Sequence, residues 1–177
     1  MTVQAQRDFF GLFGLTPVFR LDEGVLDTAY REVQAQVHPD RYAHLSDTEK
    51  RVSMQWATRV NEAYRTLRTP LLRACYLLEM NGVDPGLETN TAMSPAFLME
   101  QLEWREAVEE ARAAEDVAEL RSLHQRLRLE SRALVGGLAA ALDERRAFED
   151  AAELVRRMKF LEKLQHEIDD ALDALES

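Results

Sequence analysis

Apolar side chains recur at intervals of three and four along most of the chain, and nowhere do Val, Tyr or Phe alternate with polar residues over a useful length. The first spacing is the period of a helix and the second that of a strand, so the pattern predicts an all-α protein. A short helix is expected around Arg7 to Phe13, closed by the turn residues Gly14-Leu15-Thr16-Pro17. A second begins near Asp22, a suitable N-cap, and aligns Leu26, Tyr30, Val33 and Val37 on one face. It should end at His38, because a residue before proline is pushed out of the helical region. Ser46-Asp-Thr-Glu49 has the form of a capping box and opens a third helix to about Arg68, with Val60, Tyr64 and Leu67 buried. Pro70 at a first helical position restarts a fourth, which Asn81-Gly82 ends.

Residues 82–93 are rich in turn formers and have no period, which places a linker there between a first domain, 1–81, and a second, 94–177. Ser94-Pro95 then supplies an N-cap and a proline at N1. Three long helices are expected at about 95–112, 116–142 and 145–176, and their short connections make neighbours antiparallel in a three-helix bundle. Gly136-Gly137 lies inside the second of these and costs helix stability, about 1 kcal/mol per glycine relative to alanine, so a kink or an early end is expected there.

Charge narrows the function. The 177 residues carry 22 Lys+Arg against 32 Asp+Glu, a net charge of −10. Residues 1–80 hold 10 basic and 10 acidic side chains, which leaves 12 and 22 for residues 81–177. An acid excess repels phosphate backbones, so nucleic acid is not an expected partner. The single cysteine, Cys75, has no second thiol for a disulfide or a metal site, so no cofactor is expected and a reducing compartment, the cytoplasm, fits best. The longest apolar run, Ala133 to Leu142, falls short of the ~20 residues that span a bilayer. Membrane is therefore not an expected partner either.

One tripeptide stands out. His38-Pro39-Asp40 lies on a polar loop between two amphipathic helices, and its restricted backbone displays an imidazole and an anion, a display suited to docking. A catalytic reading would pair His38 with Asp40, yet no nucleophile, glycine-rich phosphate loop or matched second carboxylate completes it. A metal reading would use His38, Asp40 and His44 and lacks a fourth ligand.

The surroundings of the tripeptide carry a resemblance. Phe9-Phe10-Gly11-Leu12-Phe13-Gly14-Leu15, the HPD loop after the second helix, and Val60-Asn61-Glu62-Ala63-Tyr64-Arg65-Thr66-Leu67 follow the order and spacing of a J-domain. Arg68-Thr69-Pro70-Leu71-Leu72-Arg73-Ala74-Cys75-Tyr76-Leu77-Leu78, Ala96 to Glu103, and Arg157 to Leu164 extend the likeness over essentially the whole chain. The sequence resembles the HscB family of iron-sulfur co-chaperones, in its bacterial form without an N-terminal CxxC zinc module. The resemblance implies an N-terminal J-domain, a helical hairpin with the HPD loop, joined to a C-terminal three-helix bundle in an L-shaped arrangement. It further implies a non-enzymatic role. His38, Pro39, Asp40, Arg31 and Arg41 would engage a dedicated HscA-like chaperone ATPase of the heat-shock class and stimulate its ATP hydrolysis, and the bundle would deliver an IscU-like iron-sulfur scaffold. A J-domain protein serving a different client, and an all-α adaptor with an idle HPD, remain the alternatives. The second helix departs from the usual basic face: only Arg31 is basic between Asp22 and Val37, beside Asp27 and Glu32.

A client surface is expected on helix 95–112. Phe97, Gln101, Trp104, Val108 and Ala111 form its core stripe, whereas Leu98, Met99 and Leu102 fall on the other side and the stripe turns charged after Leu102. Glu100, Glu103, Glu106 and Glu109 are expected around this patch, and Phe160 is expected off the buried line of its own helix, between Arg156, Arg157 and Lys163, where it either packs on the flank or joins the patch. By resemblance the scaffold would bind Leu98, Met99, Leu102, Glu106 and Phe160. Burying Leu98, Leu102 and Phe160 would contribute about 5–9 kcal/mol gross, which implies weak, reversible binding. His124 and His166 read as solvated surface and Cys75 as a small buried side chain.

Overall fold

The computed structural model describes residues 8–37, 46–87 and 93–176. Every regular element among them is helical: α1 (Phe9–Leu12), α2 (Glu23–Val37), α3 (Asp47–Arg68), α4 (Pro70–Met80), α5 (Pro95–Ala113), α6 (Val117–Ala139), a π-helical turn (Ala140–Arg145) and α7 (Phe148–Glu176). The chain forms two compact units, Met1–Leu77 and Leu78–Ser177.

In the first unit α2 and α3 form an antiparallel pair. Asp22 accepts from the backbone N–H groups of Gly24 and Val25 at 2.9 and 3.1 Å, capping α2. Ser46 and Glu49 form the capping box of α3 in full. The donors of Ser46 hold the Glu49 carboxyl below its ordinary pKa. Between the helices the Tyr30 and Tyr64 rings stack at 4.0 Å. The Tyr30 hydroxyl donates to Asn61 and the Tyr64 hydroxyl to Asp27, each at 2.9 Å. Arg68 pairs with both Glu23 and Asp27. The core beneath contains Phe10, Phe19, Leu26, Val60 and Leu67, all at most 2% exposed.

Arg73 is a buried cation in this unit, 4% exposed. Its Nε donates to the Leu67 carbonyl and its Nη1 to the Phe19 carbonyl, both at 2.6 Å, while the guanidinium lies over the Phe19 ring. A charge is tolerated there because its donors meet backbone acceptors that would otherwise be buried without partners.

The second unit is an up-down-up bundle. Trp104 of α5 lies under Arg126 of α6, His124 of α6 reaches Asp169 of α7 at 3.3 Å, and Glu100 of α5 meets Arg157 of α7. These pairings make α6 antiparallel to both neighbours and leave α5 and α7 parallel. Ser94 caps α5 through Phe97 N–H, with Pro95 at N1. The expected helix 116–142 is α-helical to Ala139 and then widens into the π turn, which a left-handed Arg146 at φ 55° closes. The α-helix runs through the glycine pair and gives way to the π turn two residues after it. Gly137 admits α7, since a Cβ there would stand 3.3 Å from Leu154 Cδ1, whereas Gly136 faces open space. Ahead of α5, Arg146 donates to the Asn81 side chain at 3.3 Å and Arg156 to the Pro85 carbonyl at 3.1 Å.

Candidate functional site

His38, Pro39, Asp40 and Arg41 lie outside the described residues, as does His44. Their frame is described on both sides: α2 reaches Val37, and the Ser46 capping box starts α3, so the loop joins the ends of an antiparallel pair. Arg31 is exposed on α2. Asp27 is not a free counter-charge on that helix, because Arg68 and the Tyr64 hydroxyl both engage its carboxylate. The same hydrogen bond, followed by burial and the charge of Asp27, raises the pKa of Tyr64.

On α5 four of the five residues of the expected core stripe are buried, Phe97, Trp104, Val108 and Ala111 each at most 7% exposed, whereas Gln101 is half-buried. Leu98, Met99 and Leu102 are 46, 59 and 51% exposed, a contiguous apolar surface on a helix whose inward face is already complete. Glu103, Glu106 and Glu109 are exposed beside it.

Two residues of this surface are engaged within the bundle. Phe160 takes a packed flank position: it is 9% exposed, set edge-on against Phe97 with centroids 5.9 Å apart, and covered by the Arg105 guanidinium. Its ring is drawn in because Phe97, on the parallel helix, offers an aromatic partner on that flank. Glu100 is not a free rim carboxylate. It is half-buried and accepts from Arg157 Nη2 at 2.5 Å, while that guanidinium also lies over the Phe97 ring. Glu130 of α6 joins the pair, and its pKa is raised by burial first and by hydrogen bonding and repulsion from Glu100 next, against the pull of Arg157 and Arg126.

Arg105, Arg126 and Arg157 lie over Phe160, Trp104 and Phe97, and with Glu130 they come from three helices, so the linear sequence does not show them as a group. His124 also departs from a solvated role, because it bridges α6 to Asp169 on α7. Among the described residues, no three His, Cys, Asp or Glu side chains gather in a metal-binding arrangement. No helix among them is long and apolar enough to cross a membrane.

Comparison with known proteins places these features in a family. Residues 93–169 match the family described as the HSCB C-terminal oligomerisation domain. Over all 177 residues, and over all of the relative, the chain is 64% identical to the "Co-chaperone protein HscB homolog" of Aromatoleum aromaticum. Among solved structures it superposes on chaperone HscB from Vibrio cholerae with TM-score 0.89 and 36% identity, covering 95% of this chain and 99% of that one. The crystal structure of the human co-chaperone protein HscB gives TM-score 0.87 and 32% identity over 93% and 81% of the two chains.

Proposed function

The chain belongs to the HscB family of co-chaperones, and from that premise we propose that it carries an iron-sulfur scaffold protein to a dedicated chaperone ATPase and stimulates ATP hydrolysis there. His38, Pro39 and Asp40 dock on the ATPase, with Arg31 and Arg41 beside them. Neutralisation of Asp27 by Arg68 supports this, because it leaves Arg31 less opposed on a helix otherwise poor in basic charge. Docking the loop orients groups of the partner; the chain itself performs no bond chemistry. The reducing cytoplasm, where a buried lone Cys75 is stable, is the compartment we assign.

The observation that carries the client half is the exposure of Leu98, Met99 and Leu102 on a helix with a completed core. The sequence-based energy must be revised, since Phe160 is already buried by its own fold. Complete burial of a large apolar side chain is favourable by ~1.5–3 kcal/mol, so three that are half-exposed contribute about 2–5 kcal/mol. Association costs about 4 kcal/mol or more. The patch alone therefore hardly holds a partner, and charged groups around it must add to the contact.

The test is a pair of assays with the IscU-like scaffold and the HscA-like ATPase. Asp40→Asn should abolish stimulation of the ATPase; undiminished stimulation overturns the docking role of the loop. Leu98→Ala/Leu102→Ala should weaken scaffold binding, and wild-type affinity in that variant overturns the client site.

A further inference from the structure

At about 100° per residue, Leu98, Leu102, Arg105, Glu109 and Arg112 fall on one stripe of α5. Leu98 and Leu102 of the apolar patch occupy the first part of that stripe, with Met99 to one side. Beyond Leu102 the same stripe becomes one wall of a groove of about 510 Å³ between α5 and α7. Lys163, Glu167 and Asp170 of α7 form the opposite wall, and the buried Val108 and Ala171 lie at its base. Because α5 and α7 are parallel, the groove runs straight on from the patch along one seam.

The chemistry of the walls selects an occupant. The volume falls within the ~300–1,000 Å³ of ordinary ligand clefts, so size alone would admit a small molecule. A small anion, however, would face the carboxylates of Glu106, Glu109, Glu167 and Asp170, and a bare metal ion would face Arg105, Arg112 and Lys163. An apolar ligand would desolvate all of these charges without pairing them. Among the described residues, none of the four carboxylates is engaged in a hydrogen bond or ion pair. What satisfies both signs is an extended polypeptide segment that carries basic and acidic side chains together.

We infer that this α5–α7 groove receives an extended, mixed-charge segment of the scaffold client while the client's apolar surface rests on Leu98, Met99 and Leu102. The inference rests on the proposed client site and supplies the additional contact that the half-exposed patch requires. The groove carboxylates then act on encounter and register, and the patch on residence.

Calorimetric titration with the purified IscU-like scaffold at several salt concentrations separates the two readings. Leu98→Ala/Leu102→Ala with wild-type affinity removes the client site itself, and the groove with it. Where that variant loses binding, Glu109→Lys/Glu167→Lys is expected to weaken affinity about three- to tenfold and flatten its salt dependence, as disruption of two exposed ion pairs should. Unchanged affinity and salt slope in the charge variant overturn the groove while leaving the patch in place. Lys163→p-benzoylphenylalanine, irradiated in the complex, should cross-link to one scaffold segment. Absence of that cross-link, or one joining two copies of this chain instead, also overturns the inference.

Discussion

Arg157 on α7 holds Glu100 on α5 at 2.5 Å while its guanidinium carbon stands 5.3 Å from the centroid of the Phe97 ring. One side chain thus fixes a carboxylate and an aromatic on the same turn of the neighbouring helix. Leu98, Met99 and Leu102 are carried on that turn and the next, so the exposed patch sits on a braced backbone.

Glu130 makes this brace sensitive to protons. Its folded pKa lies above the ordinary 4.5, chiefly through burial. A raised carboxyl pKa stabilises the fold fully below the unfolded value, and that contribution is lost as pH rises through the folded value. Wild type should therefore lose stability relative to Glu130→Gln as the pH rises above the ordinary carboxyl value of 4.5 and through the raised folded value. Urea unfolding of both proteins across that range reads the difference, and a constant difference would exclude linkage of Glu130 to folding.

Patch and underlayer should separate in stability. Leu98→Ala and Leu102→Ala remove exposed side chains and should shift unfolding free energy by no more than about 0.5 kcal/mol each. Phe160→Ala removes a ring packed on Phe97 and should cost about 3–5 kcal/mol. Thermal and denaturant melts check this. The contrast also shows why a binding test should not include Phe160→Ala, whose loss of affinity would follow from loosened packing.

The glycine pair should respond with opposite signs. Gly136→Ala adds a methyl into open space within a helix and should stabilise the bundle by about 1 kcal/mol. Gly137→Leu drives a larger side chain into Leu154 and should destabilise it by about 1–3 kcal/mol. Equal effects in denaturant melts would mean that α7 does not need the close approach.

Arg73→Leu should destabilise the first unit by about 3 kcal/mol, because two buried carbonyls lose charge-assisted donors. Arg73→Lys should recover a part of this, since one ammonium cannot span both acceptors as the fork does. Chemical unfolding followed by circular dichroism measures both variants, and a neutral Arg73→Leu would show that the carbonyls find other partners.

Local chemistry explains what could be read directly from residues. The Ser46–Glu49 box and the Ser94-Pro95 start are satisfied within one helical turn, and the outward placement of Leu98, Met99 and Leu102 follows from the period of α5 alone. Phe160, His124 and Glu100 could not be placed that way. Each is defined by the helix opposite: Phe97 draws in the Phe160 ring, Asp169 engages His124 and Arg157 captures Glu100. The glycine pair is similar, since a helix period registers its cost but not the leucine that lies across from it.

The two arginines that reach Asn81 and Pro85 bear on how the protein can be divided. A fragment begun at Ser94 would keep all three long helices yet strip Arg146 and Arg156 of those acceptors. A piece that isolates the bundle with both acceptors in place therefore begins before Asn81, and a start at Leu78, inside the last turns of α4, coincides with the start of the second compact unit.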